Sequence, residues 1–279
     1  MTPSVFAAFA FPNIDPVLLQ LGPLKVHWYG MAYVVGILTG WWYAGKLVSN
    51  PKLWNQTSPI TKAHLEDFLM WLVAGVILGG RIGYVLFYNL DKYLAQPLDI
   101  IKVWDGGMSF HGGLTGVVIA MILFSRSRGF SPFSLFDIIG PASCIAIFFG
   151  RCANFINQEL FGKVTDASWG VIFPITQDGL ARHPSQLYEA ALEGVVLFIV
   201  LRIFTHTFLK LKSPGFIAGV YVAGYAIARI LVEFVRVPDT QIGYLFGGWL
   251  TMGMVLSIPI ILIGLWSILT SKSRMISAQ

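Results

Sequence analysis

Arg151, Asn154, Asn157 and Glu159 follow directly on the apolar run from Ile145 to Phe149, placing a guanidinium, two carboxamides and a carboxylate beside a stretch fit for a membrane interior. Charged side chains at membrane depth cost roughly 2.5–3.5 kcal/mol each on insertion scales and persist mainly where they face a polar cavity. Arg151, Asn154 and Asn157 lie three apart, which puts them on one face if the preceding helix continues. An arginine fork beside amide donors suits a phosphate or a carboxylate. One such residue fits a helix-packing contact equally well, whereas four together favour a site. A second stripe comprises Tyr225, Arg229, Glu233 and Arg236, spaced 4, 4 and 3, with apolar Ile227, Ile230, Leu231 and Phe234 between them. A span with one ionic stripe turns it toward the bundle interior. Either Arg229 and Glu233 neutralise each other, or Arg229 binds the same anion as Arg151 while Glu233 orients it.

Residues 106–116 read Gly-Gly-Met-Ser-Phe-His-Gly-Gly-Leu-Thr-Gly. Histidine has an ordinary pKa of about 6.5, suited to proton transfer near neutrality, and the flanking glycines let a second backbone or a lipid headgroup come close. A histidine at a helix end is also a common structural hydrogen bonder, so His111 alone leaves both roles open. Arg81, within Gly79-Gly80-Arg81-Ile82-Gly83-Tyr84, is as consistent with close helix contact as with function. Tyr29 follows His27 and Trp28 where an aromatic belt is expected. Ser185 is placed to cap a helix, with His183 and Glu189 joining the polar segment before it to the bundle. Cys144 and Cys152 read as two small buried hydrophobes. No two histidines are close enough to suggest metal ligands on one helix, and the cysteines are not paired as in zinc motifs.

These residues need elements to hold them. The chain has 279 residues, 56% hydrophobic and only 12% charged, about half the charged fraction of a soluble domain. A spanning helix needs about 20 mostly apolar residues. Seven segments qualify: 26–48, 66–88, 111–125, 133–150, 186–205, 215–235 and 249–270. The third is short at its apolar core; the fourth carries Asp137 and Pro141 and is expected to tilt, break or lie partly buried. The bilayer satisfies no exposed backbone hydrogen bonds, so all-helical spans are favoured. The expected architecture is an all-α integral membrane protein, one polytopic domain over 1–279.

Of the nineteen Lys and Arg residues, ten fall in one set of loops, from Lys46 to Arg274, and six in the alternate set. The positive-inside rule then puts the amino terminus outside and the carboxyl terminus in the cytoplasm. The first 25 residues lack a basic start and carry Pro3, Pro12, Asp15, Pro16 and Pro23, unlike a signal peptide. Residues 157–185, between the fourth and fifth spans, are polar and turn-rich and are expected to form a small external cap, with a short strand within Trp169–Pro174. The net charge of +5 fits anchoring to anionic membrane lipids; no basic run interleaved with aromatics points to nucleic acid.

The string Gly150-Arg151, Asn154-Phe155, Asn157, Glu159 and Gly162 resembles the signature of the bacterial prolipoprotein diacylglyceryl transferases. The resemblance extends through His27–Gly30, Gly79–Tyr84, Trp104–Gly116, Arg182–Glu189 and Tyr225–Asp239, covering most of the chain in order. Thr115 departs from it, replacing the family's usual aliphatic residue. The resemblance implies an enzyme of the bacterial cytoplasmic (inner) membrane with its site toward the outer leaflet. It would move the sn-1,2-diacylglyceryl group from phosphatidylglycerol to the lipobox cysteine thiol of a prolipoprotein signal peptide, leaving a thioether and glycerol 1-phosphate, with no cofactor. By the same resemblance Arg151 and Arg229 bind the phosphate and act in catalysis, and His111 is the candidate base. Tyr29, Asn154, Glu159, Gly162, Tyr225, Glu233 and Arg236 complete the substrate-binding set. A transporter or flippase for an anionic lipid would also hold arginines in a cavity, but such proteins often show repeated halves, and no internal repeat is visible here. A non-catalytic lipoprotein receptor is a third class.

Overall fold

A computed structural model describes residues 8–55, 57–237, 243–246 and 248–275; the expectations at Pro3, Asp239 and the carboxyl-terminal end, Gln279, lie outside them. In chain order the elements are strands β1 (Phe9–Ala10), β2 (Val17–Leu21) and β3 (Leu24–His27), helices α1 (Trp28–Val48), α2 (Lys62–Tyr88), α3 (Leu90–Ala95), α4 (Phe110–Ser127) and α5 (Pro132–Ile156), strands β4 (Val171–Ile172) and β5 (Ala181–Arg182), helices α6 (Ser185–Glu189), α7 (Leu197–His206) and α8 (Phe216–Glu233), strands β6 (Tyr244–Phe246) and β7 (Leu250–Thr251), and helix α9 (Met252–Thr270). Helices form the body, and all seven apolar segments are helical. Four of these helices, α2, α4, α5 and α8, together with the stretch Met252–Arg274, are long and apolar enough to cross a membrane. The fifth apolar segment is not one regular helix: a π-helical stretch, Ala190–Val196, separates α6 from α7. Small sheets accompany the helices. The strand expected within Trp169–Pro174 forms as β4, which pairs parallel with β1 and antiparallel with β5, over a small core of Phe11, Val171 and Phe173.

The chain divides into two compact units, one of residues 45–136 and one comprising 1–44 with 137–277. In the first, α2 and α4 run antiparallel along a glycine seam. Added Cβ atoms at Gly75, Gly79 and Gly83 would fall closer than 3.0 Å to backbone atoms of Gly116 or Gly112. Small residues at such seams let two helices pack backbone to backbone in lipid. Gly112 and Gly116, read from sequence as room for a second backbone or a headgroup beside His111, are therefore occupied by α2.

In the second unit α1 runs antiparallel to α5, with Gly36 and Gly40 against Ala146 and Ala142. Helix α8 runs antiparallel to α9 through Gly219, Ala223 and Gly264. Helix α5 continues unbroken through Pro141, contrary to one expectation for it, and Asp137 is fully buried. The first N–H groups of a helix have no partner within it, and the N-cap of α8 is Gly215, which has no side chain. Asp137 supplies the missing acceptor: its carboxylate takes the N–H groups of Gly215 and Ala218, each at 2.7 Å.

Candidate active site

Arg151 lies in the last turn and a half of α5, and Arg229 lies near the end of α8. Both converge on two glutamates of the π-interrupted segment. Arg151 Nη1 lies 3.1 Å from Glu189, and its Nη2 lies 3.2 Å from Glu193. Arg229 Nη1 donates to Glu189 at 2.8 Å, and its Nη2 pairs with Glu233 one turn along α8. Arg236, just past the end of α8, stands 3.7 Å from Glu189 and 3.9 Å from Glu233. The second oxygen of Glu233 accepts the Thr251 hydroxyl at 2.7 Å. Three guanidiniums and three carboxylates thus form one connected set. Both accounts of the Arg229–Glu233 pair begin from this contact, since the pair does form.

The set is layered. Glu189 and Glu193 side chains are 0% accessible and Glu233 is 5%, whereas Arg151 and Arg229 are each 18% accessible and Arg236 is 13%. The carboxylates are thus the more deeply buried partners, and the three arginine side chains keep some accessible surface. Arg236 spends the least of its donor capacity on partners. Such a set can receive an anion: the glutamates fix the forks, and guanidinium N–H groups left over from those contacts can donate to the anion's oxygen atoms.

The remaining expected residues gather near this set or stand elsewhere. Asn154, almost fully buried, donates to Glu159 at 2.6 Å, and the Glu159 carbonyl accepts Gln186 Nε2 at 2.6 Å, so the signature segment is tied to α6. Asn157 and Tyr29 both line an open groove of about 680 Å³ whose other walls include Lys25, His27, Met31 and Val34. The Tyr29 hydroxyl lies 3.1 Å from that of Tyr33. Gly162 forms an isolated bridge with Arg236, and a Cβ there would strike Val235 and His183. Its role is thus to let the chain after α5 lie against the end of α8. Tyr225 faces Arg151 and Arg229 from one turn earlier on α8.

His111 is the second residue of α4, exposed, with its ring edge-on to Phe110. It belongs to the unit of residues 45–136, and the arginine–glutamate set to the other. Arg81 has a structural set of contacts. It is 4% exposed, and its guanidinium donates to the carbonyls of Asp99, Ile100, Gly106 and Gly107, holding the turn-rich stretch before α4. Cys144 is buried and Cys152 half-buried, both as free thiols.

Two expectations need correction. Ser185 makes no cap; its hydroxyl donates instead to the Leu160 carbonyl at 2.8 Å. Glu189 does not join the cap segment to the helices but is the carboxylate that Arg151, Arg229 and Arg236 share. His183 does serve that junction: its Nδ1 lies 3.1 Å from the Tyr188 hydroxyl, and its backbone bonds to Gly162 and Lys163. Burial and the nearby Lys163 ammonium keep its ring below the usual histidine pKa. In the same segment the Asp178 carboxyl is held at about 2 by the Leu180 N–H, the Thr176 hydroxyl and Arg182. Glu193 escaped sequence reading altogether. Its signal was an acidic residue four after Glu189 within an apolar segment, and intramembrane carboxylates of that kind need cationic partners.

Helices long and apolar enough to cross a membrane, with a connected set of charged side chains between α5, α8 and the π-interrupted segment, mark a multi-pass membrane protein. Residues 16–270 match the family model described as prolipoprotein diacylglyceryl transferase. A protein of Agrobacterium fabrum named phosphatidylglycerol--prolipoprotein diacylglyceryl transferase is 55% identical over 277 residues, 99% of each chain. Proteins of that name from Brucella anthropi and Mesorhizobium japonicum are 59% and 56% identical, over 94% and 95% of this chain and 93% of each of theirs. The chain belongs to the prolipoprotein diacylglyceryl transferase family.

Proposed function

We propose that this protein transfers the sn-1,2-diacylglyceryl group of phosphatidylglycerol to the lipobox cysteine of a prolipoprotein, the first step of lipoprotein maturation. The observation that carries the reading is the connected set itself, in which partly accessible arginine side chains are paired to buried carboxylates, in a chain of this family. The thiol loses its proton to a base, the sulfur attacks the glyceryl carbon, and the carbon–oxygen electron pair leaves with the phosphate oxygen. A singly charged phosphodiester becomes a phosphomonoester, glycerol 1-phosphate, with more negative charge. Cations fixed near that oxygen stabilise the transition state more than the ground state. Arg151 and Arg229 fill this role. Arg236, Asn154, Glu159, Tyr225, Glu233, Gly162 and Tyr29 shape the substrate site, and His111 is the base. Purified protein given labelled phosphatidylglycerol and a lipobox peptide should yield lipidated peptide and glycerol phosphate; a transporter or receptor would make neither.

His111→Gln should keep phosphatidylglycerol binding but slow transfer, with partial recovery as pH rises and more of the peptide thiol ionises. A defect that is flat with pH would remove the base role.

We further propose seven spans in a bacterial cytoplasmic (inner) membrane, as one polytopic domain with residues 157–185 as an external cap and the site toward the outer leaflet. The Lys and Arg asymmetry supports this orientation. The packing within the second unit supports the alternation of the spans: α5 runs antiparallel to α1 and parallel to α8, as first, fourth and sixth spans must. A reporter inserted near Asp166 should read external and one fused after Gln279 cytoplasmic. The reverse pattern would defeat the outward placement.

A further inference from the structure

Charge counting in the arginine–glutamate set exposes a requirement. Arg151, Arg229 and Arg236 carry three positive charges, and Glu189, Glu193 and Glu233 carry three negative ones, so the set is balanced before any substrate arrives. Adding a phosphodiester leaves one negative charge uncompensated in a set whose carboxylates are fully or almost fully buried, and an uncompensated charge in such surroundings is costly. The three carboxylates are not equally able to relieve it. Glu189 faces all three guanidiniums. Glu233 engages Arg229 with one oxygen and the Thr251 hydroxyl with the other.

Among the described residues Glu193 ion-pairs with Arg151 alone, and through one oxygen only: Nε at 3.4 Å and Nη2 at 3.2 Å both reach Oε2. The Glu189 oxygen that lacks a hydrogen bond still ion-pairs with Arg151, whereas the Oε1 of Glu193 is buried with neither a hydrogen-bond nor an ion-pair partner among the described residues. The other groups facing it are Cys144 of α5, Tyr221, Tyr225 and Arg229 of α8, and Glu189 on its own segment. Tyrosine and cysteine side chains are ordinarily neutral at neutral pH, so none of these can cancel the added charge. The π-helical turn sets Glu189 and Glu193 against the same guanidinium; π-turns of this kind recur at functional sites.

We propose that Glu193 takes up one proton when a phosphodiester headgroup binds the arginines, and holds it until the phosphate product leaves. The proton comes from bulk water and adds to the Glu193 carboxylate, restoring the balance. This rests on the reading that the set binds the phosphatidylglycerol phosphate. It makes Glu193 a positioning and charge-compensating residue.

Calorimetric titration of the full-length protein in detergent with dioctanoyl phosphatidylglycerol, repeated in buffers of different ionisation enthalpy, reads the uptake directly. About one proton should be taken up per lipid bound, and affinity should fall by about tenfold per pH unit on the alkaline side. Glu193→Gln should still bind the lipid but with no uptake and a flat pH profile. Infrared difference spectra should gain a protonated-carboxyl band on binding, absent in Glu193→Gln. Glu193→Asp should keep the uptake and move the band, which covers the case in which the glutamine variant does not fold. Binding without uptake in the wild type, or undiminished uptake in Glu193→Gln, overturns the proposal while leaving the phosphate reading intact. No lipid binding at all overturns both.

Discussion

Arg229→Lys is expected to lower single-turnover transfer by about 10²–10³, the cost of losing one preorganised donor from a site of developing oxyanion charge. Arg151→Lys should behave alike. Each guanidinium bridges two carboxylates, Arg229 joining Glu189 to Glu233 and Arg151 joining Glu189 to Glu193. It does so from a side chain that keeps 18% of its surface accessible. A lysine ammonium is a point charge without the planar fork, so it cannot span both partners and still present aligned donors outward. Binding of phosphatidylglycerol and the rate of transfer should be measured separately, because an interaction made chiefly in the transition state depresses the rate more than the affinity. Near-normal turnover in both lysine variants would leave the arginines as helix-packing charges.

Glu189→Ala should be the most destabilising single change in the set, by about 3–5 kcal/mol, the range for breaking a buried pair by removing one partner. Glu189 is the one carboxylate within ion-pair distance of all three arginines, and its loss leaves mutually repelling cations on α5, on α8 and just beyond α8. Glu193→Ala, which strips only Arg151, should cost less. Thermal unfolding in detergent, with the two variants compared at one pH, decides the order. A Glu189→Ala protein as stable as the wild type would mean that the arginines are solvated separately.

Much of this site was legible before any coordinates. Arg229, Glu233 and Arg236 declared themselves because a lone ionic stripe on an apolar helix has only one tolerable direction. The helical limits of α1 and α4 followed from hydropathy within two residues, whereas α5 runs six residues past the expected end at 150, to Ile156. What could not be read was partnership between segments distant in sequence. Glu189 lies 38 residues after Arg151 and 40 before Arg229, and nothing local tells a carboxylate at the polar end of a span whether it faces a cap or two arginines. Arg81 was ambiguous for the same reason. Its partners are backbone carbonyls, which leave no trace in side-chain identity. The glycines beside His111 looked equally suited to a headgroup or a helix, and only the seam with α2 decides between them.

The Asp137 contact sets a ruler for the cluster. Asp137 holds the first turn of α8 from the early part of α5, and the two helices then run in the same direction. Fourteen residues separate Asp137 from Arg151, and fourteen separate Gly215 from Arg229, about 21 Å of helix in each case. The two cations are therefore gauged from a common origin by equal lengths, much as paired uprights of one height carry a level beam. Removing a single residue from either length would shorten it by about 1.5 Å and turn its arginine by about 100°, so the spacing between the guanidiniums is written along both helices and not only where they meet.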